Sequence, residues 1–244
     1  HPMIRFSGRV HNQVAQSLRR YNKRYGGIAT DIDAEITHVG YALSANQSKE
    51  KYNPRLALLE HEVDNAKDPT MRSYYRYQLG VGHYMVKEYA AADNVLDQVE
   101  YEHLNRRNAY YTRFLAGDAA CRNQHPKRAL VHATHMMESK PEEPLGYVLA
   151  GKILQQENDI EEALLLFEAA LKRCQEGRET IRFILDEAVL KKQIASLALK
   201  LGLAQRAQKH LVEYLAAYPD DEHAQNVLQK LNRRLDERDP VSTA

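Results

Sequence analysis

The chain lacks most of what would mark an active site or a membrane segment. There is no Gly-x-Ser-x-Gly, no Gly-x-Gly-x-x-Gly, no phosphate-binding Gly-Lys-Ser/Thr and no His-Glu-x-x-His, so the common hydrolase, dinucleotide, nucleotide and zinc-protease chemistries have no motif here. Cysteine is nearly absent: Cys121 and Cys174 are the two, with no paired spacing, which offers neither a disulfide framework nor a zinc site and fits a reducing compartment. Both are expected as small buried hydrophobes. Excess charge is missing too. Lys+Arg 34 against Asp+Glu 33 leaves a formal charge of +1, too little for a global field that recruits nucleic acid or an anionic membrane. No apolar run approaches the about 18 to 20 residues of a membrane span, and the start has no signal-peptide core. The expected setting is cytoplasmic, and His1-Pro2 ahead of Met3 reads as an added or cut end.

What is present is a second period above the helical one. Hydrophobic residues make up 43% and charged residues 27%, ordinary for a globular chain of this length. Within it, Ala92 with Leu96, Ala129 with Ala133, Ala163 with Phe167 and Ala207 with Leu211 are small-x-x-x-bulky pairs, and their leading alanines lie 37, 34 and 44 residues apart. Pro141 and Pro219 each follow their alanine by twelve residues. Amphipathic helices alone give a period of about 3.6 and no second one.

From Tyr147 the offsets of Ala150, Gly151, Leu154, Ala163, Phe167 and Ala170 resemble the roughly 34-residue tetratricopeptide (TPR) pattern, in which two helices lock through an aromatic, a small pair, an Ala and a Phe. The resemblance implies a mainly α fold, a TPR-type helical solenoid with repeats at about 73–109, 110–143, 144–187 and 188–221, and a short insertion before the last. Residues 66–240 would hold these repeats with a C-terminal capping helix. That helix is expected over Asp221 to Asp236 on Ala224, Val227, Leu228, Leu231 and Leu235; an apolar stripe left on its outer face would make a homodimer surface.

Residues 1–65 do not follow the repeat. Asn12 to Arg20 reads as a helix on Val14 and Leu18, Gly26-Gly27 breaks the chain, and Ile28 to Val39 alternates as a half-buried strand. Asn46 to Pro54 is polar and turn-prone, and a helix is expected from Arg55 to Asn65 through Leu56, Leu59 and Val63.

Gly8-Arg9-Val10-His11-Asn12, then His38-Val39-Gly40-Tyr41, then Asn53-Pro54-Arg55-Leu56-Ala57-Leu58-Leu59-Glu60 resemble, in order and spacing, the end of the catalytic domain in bacterial family 2 glycosyltransferases that carry C-terminal TPR repeats. The resemblance implies that residues 1–65 are a short α/β segment from the edge of a GT-A-like domain. The parent enzyme would use a nucleotide-sugar and a divalent metal, with the metal-holding Asp-x-Asp in an upstream part that this chain lacks. The chain itself is then expected to need no cofactor and to be inactive alone. His11 and Arg9 are the donor-pocket candidates, as a metal ligand or hydrogen-bond donor and as a phosphate fork; a surface His at a helix start is the competing reading. The family usually has Glu where Asn12 stands, and Asn cannot serve as a base. His38 and Tyr41 read as packing residues. Asp31-Ile32-Asp33 offers two carboxylates to a metal, but Glu35 continues their row on one strand face, and a solvated face is the favoured reading.

In a TPR the first helix of each repeat lines the groove. The register places Tyr74, Tyr77, Val81 and Tyr84 there in the first repeat, and Tyr111, Phe114, Asp118 and Arg122 in the second. The third gives Val148, Lys152 and Gln155, and the fourth Lys192, Gln193, Ser196 and Lys200. A trough aromatic at one end and basic at the other suits an extended peptide or protein, among them a glycosylation acceptor of the parent enzyme. The competing reading packs the tyrosines against the N-terminal segment. Chaperone tails are not expected, because Tyr77 and Val81 stand where a carboxylate clamp needs Lys or Asn. His125, His132 and His135 lie close in sequence, without a further ligand at suitable spacing, and are expected on a solvated helix face.

Overall fold

The computed structural model describes residues 15–26, 45–177 and 185–238. Among them the regular elements are helices, with no strand. The strand expected over Ile28 to Val39 lies outside the described residues, as do His11, Arg9, Asp31, Asp33, His38 and Tyr41. The chain divides into two compact units, residues 1–105 and 106–244.

The first unit holds α1 (Ala15–Tyr25), α2 (Ala45–Asn65), α3 (Pro69–Met85), α4 (Tyr89–Asp97) and a 3-10 turn (Tyr101–His103). Gly26, at φ +68, ends α1 in the left-handed region, as the glycine pair suggested. The expected turn over Asn46 to Pro54 is absent: α2 runs through it, with Pro54 inside. Pro54 removes one donor and sits at an exposed position. The buried side of the same helix gains more, because Leu56 and Leu59 join Leu79 and Val86 in a core flanked by Tyr52 and Tyr75.

The second unit contains α5 (Arg106–Arg122), α6 (Pro126–Ser139), α7 (Leu145–Gln156), α8 (Ile160–Glu176), α9 (Glu187–Lys200), α10 (Ala204–Ala217) and α11 (Glu222–Arg238), each packed on its neighbours in sequence. Part of the long spacing before the last repeat is absorbed by α8, with 17 residues against 14 in α6 and α10.

The turns between paired helices repeat in detail. Lys87, Gln124, Asn158 and Gly202 take φ of 67°, 62°, 64° and 71°, each five residues before a repeat alanine. Every such turn closes the same way. The following amide donates back to the carbonyl five residues earlier: Glu88 to His83, His125 to Ala120, Asp159 to Leu154 and Leu203 to Ala198, at 2.8–2.9 Å. This Schellman arrangement satisfies helix-end carbonyls with one left-handed residue.

Close helix approach is built on glycine. Twelve residues before their alanines, Gly80 and Gly117 leave no room for a Cβ, which would lie 2.3 Å from Leu96 Cδ2 and 2.5 Å from Leu149 Cδ2, and Gly151 leaves little, with the Phe167 ring at 3.0 Å. Each alanine is fully buried. Phe167 centres a cluster with Val148, Ile160, Leu190 and Ile194 that joins α7, α8 and α9, and Ala195, Ala207, Leu211 and Tyr214 join α9 and α10 to α11. The stripe of α11 turns inward: Ala224 and Leu231 are buried, and Val227, Leu228 and Leu235 pack on the same cluster. Those five residues pack on the α9–α10 cluster; the homodimer surface was conditional on a further apolar stripe on the outer face.

Candidate peptide-binding faces

In the second unit the first helices α5, α7 and α9 exchange polar contacts side by side. Asp118 on α5 is 4% exposed and accepts from Arg122 Nε at 2.5 Å while Lys152 Nζ of α7 stands 3.7 Å away. A carboxylate so buried is tolerable because cations face it. The cations remain outward, each with 44% of its side chain exposed. Lys152 also lies 5.8 Å above the Phe114 ring. Phe114 itself is buried and Tyr111 half-buried. Further along, Cys121 Sγ donates to Gln156 Oε1, and Gln193 Nε2 of α9 to Gln155 Oε1 of α7. Cys121 is half-buried and lies on this polar face, whereas Cys174 is in the core. Burial, then the Asp118 charge, pushes the Cys121 thiol up, so it stays protonated near neutrality.

The expected basic end is different in kind. Lys192 Nζ sits 2.5 Å from Asp221 Oδ2 and 4.9 Å from the Tyr214 ring, and Tyr214 Oη donates to the same carboxylate at 2.7 Å. Asp221 Oδ1 meanwhile accepts from the Ala224 amide and caps α11. The Lys192 ammonium, that amide and the Tyr214 hydroxyl hold the Asp221 carboxyl well below the usual range, and its hydrogen bond raises Lys192. Lys192 thus ties α9 to α10 and α11. Sequence reading missed Asp221 as its partner; the acidic residue directly before an apolar-periodic helix was the available signal.

In the first unit Tyr74, Tyr77 and Tyr84 are all half-buried. The Tyr74 ring lies 6.1 Å from Tyr75 and 6.2 Å from Tyr77, and Tyr84 meets Tyr89 edge-on at 5.5 Å. They form an aromatic row on α3.

The histidines do not share one solvated face. His125 and His135 are exposed, but His132 is buried, its Cβ near the space a Gly117 side chain would need. Close packing of α6 on α5 explains its burial. Among the described residues, the groupings with three ligand atoms in reach are Glu100, Glu102, His103 and the exposed Asp159, Glu161, Glu162; neither includes these histidines. Among those residues no helix is long and apolar enough to cross a membrane.

The chain matches no protein-family model and no curated protein. Solved structures do match its fold. MamA from Desulfovibrio magneticus RS-1, residue 41 to the end, superposes with a TM-score of 0.56 at 16% identity, covering 77% of this chain and 99% of that one. YrrB, described as a TPR protein with an unusual peptide-binding site, gives 0.55 at 16% identity over 79% of this chain and 92% of its own. Helix pairs with a buried alanine, a glycine at the contact and one left-handed turn residue agree with that likeness, and the chain has a TPR-repeat helical fold.

Proposed function

We propose that the chain is a TPR adaptor that holds an extended peptide or a partner protein on its first-helix faces and performs no chemistry of its own. The observation carrying this reading is the alignment of α5, α7 and α9, whose mutual polar contacts leave Arg122, Lys152 and Gln156 directed outward. Tyr74, Tyr77 and Tyr84 would serve the first unit, and Tyr111, Arg122 and Lys152 the second, with the buried Phe114 ring beneath Lys152, within repeats at about 73–109, 110–143, 144–187 and 188–221. That YrrB combines this fold with a peptide-binding site supports the class of partner.

Tyr77→Ala tests it. A ring used for binding loses about 1–3 kcal/mol of partner affinity with little change in melting temperature, whereas a packing ring costs roughly 3–5 kcal/mol of stability. A large melting drop in both Tyr77→Ala and Tyr84→Ala would remove the α3 face from the proposal.

A second reading rests on the ordered matches at residues 8–12, 38–41 and 53–60: the C-terminal region of a family 2 glycosyltransferase, whose repeats hold the acceptor. Of these stretches residues 53–60 lie in α2. The upstream reading frame decides it; a frame opening at Met3 with no nucleotide-sugar domain before it ends that reading.

A further inference from the structure

We propose that Glu100, Glu102 and His103 bind one divalent transition-metal ion of the zinc class. The three residues lie in and beside the 3-10 turn that follows α4, and one ligand atom of each stands within 4.8 Å of the other two. His103 Nε2 is 3.4 Å from Glu100 Oε2. That separation exceeds the about 2.7–3.2 Å of an N–H···O hydrogen bond. It matches two corners of a tetrahedron, since ligands about 2.1 Å from a zinc ion lie about 3.4 Å apart.

Glu100 is held as a metal ligand needs to be. Its amide donates to Ser73 Oγ at 3.0 Å and its carbonyl accepts from the same hydroxyl at 2.8 Å, with Ser73 fully buried on α3. The His103 amide closes the turn on the Glu100 carbonyl at 3.1 Å. Arg76, which donates to the Gln98 carbonyl, reaches Glu100 Oε1 at 3.3 Å. The two carboxylate oxygens therefore face different partners, an orienting guanidinium on one side and the imidazole on the other. A ligating carboxylate held by such an outer partner keeps its direction when a metal arrives. The His103 and Glu100 side chains are 32% and 42% exposed, so an ion can reach them. Glu102 is exposed and has the freedom to swing in as the third ligand, with water in the fourth position.

The imidazole sets the class of metal. Calcium and magnesium take oxygen ligands, whereas imidazole suits zinc and its transition-metal neighbours. Arg76 offsets one of the two carboxylate charges, so charge alone draws hard cations weakly. The grouping of Asp159, Glu161 and Glu162 lacks these features, being exposed and wholly acidic. Glu161 and Glu162 stand in the first turn of α8, where the helix dipole accounts for acidic side chains. An ion at Glu100 pins the exposed Glu102 to a turn already fastened to α3, and this site is independent of the peptide-binding reading.

Calorimetric titration of the full chain with zinc chloride tests the proposal. One site of micromolar affinity is expected. E102Q and H103Q should each weaken it at least about tenfold, because even a residue that only orients a ligand is worth about 10–100-fold. Neither side chain is buried, so both variants should keep the parent's circular dichroism and melting curve. C121S, which removes the more accessible thiol, should leave the affinity unchanged. Cobalt(II) in place of zinc should show the visible absorption of a tetrahedral ion, lost in H103Q. No binding, binding that survives E102Q and H103Q, or binding lost in C121S overturns the proposal and leaves the peptide-binding reading standing.

Discussion

The glycine series Gly80→Ala, Gly117→Ala and Gly151→Ala measures how closely the paired helices approach. Two effects oppose each other at every site. Replacing glycine by alanine inside a helix gains about 1 kcal/mol of propensity, while a methyl forced into a filled core costs about 1–3 kcal/mol. At Gly80 the added carbon would lie 2.3 Å from Cδ2 and 2.4 Å from Cγ of Leu96, and Leu96 is itself fully buried. It cannot give way by rotating a tip alone, so packing wins, with a net loss of about 1–2 kcal/mol. At Gly117 the 2.5 Å contact is with the end of Leu149, with His132 Cβ next at 3.2 Å, and the loss should be smaller. At Gly151 the ring contacts are 3.0 Å and the Ala163 carbonyl is 3.4 Å away, so the two effects come close to cancelling. Ala195, which occupies the same register in α9 and is fully buried, shows that one repeat accommodates the methyl. Thermal unfolding followed by circular dichroism should therefore rank the variants Gly80, Gly117, Gly151 from least to most stable, with Gly80→Ala melting about 2–8 °C below the parent. A Gly80→Ala protein as stable as the parent, or a reversed order, would refute the claim that helix approach decides these positions.

Other consequences follow from the same contacts. Lys87→Gly and Gln124→Gly should each stabilise by about 0.5–1 kcal/mol, since a left-handed backbone costs most side chains roughly 1–2 kcal/mol, with Asn158→Gly gaining less; chemical denaturation reads the order, and destabilisation at Lys87 would contradict it. Phe167→Ala, at 1% exposure, should cost about 3–5 kcal/mol, and a midpoint unchanged in urea would show that α7 to α9 do not share one core. Asp221 is depressed from 3.8 in the folded chain by Lys192, so its stabilising contribution is fully present above that value and declines as pH falls through the folded pKa; Asp221→Asn should flatten the acid limb of a stability–pH curve, and an unaltered limb would remove this link. His210 is lowered from 6.5 by burial, so the native state favours the neutral ring and stability should decline as pH falls below about 6.5; the decline should weaken in His210→Phe, measured by melting between pH 7.5 and 5.

How much of the fold was legible follows from which interactions are local. The buried alanines, Gly151 and Phe167 were readable as a pattern because each repeat uses the same offsets for the same contact, whereas Gly80 and Gly117 showed their role only in the packing. The left-handed turn was not: its four occupants are Lys, Gln, Asn and Gly, and only the last advertises a positive φ. Pro54 misled in the opposite direction, since a proline reads as a break, yet α2 continues through it because Leu56 and Leu59 lie in the core. At the candidate site the register brought Asp118, Arg122, Lys152 and Gln155 onto neighbouring first helices. It did not show that Phe114 is covered by Lys152 or that Cys121 stands at the polar face.

The sequence by itself determined the repeat type, the helix pairing and the small residues at the contacts, because these depend on periodicity and side-chain size within some thirty to forty residues, the order of one repeat. Tertiary structure decided which charges remain available. Lys152 and Lys192 look alike in sequence, but Asp221, 29 residues away, takes up Lys192 together with Tyr214, while Lys152 shares a buried carboxylate with Arg122 and stays partly in solvent. Ion pairing is set by distance in space and by burial, and neither is carried by a one-dimensional register.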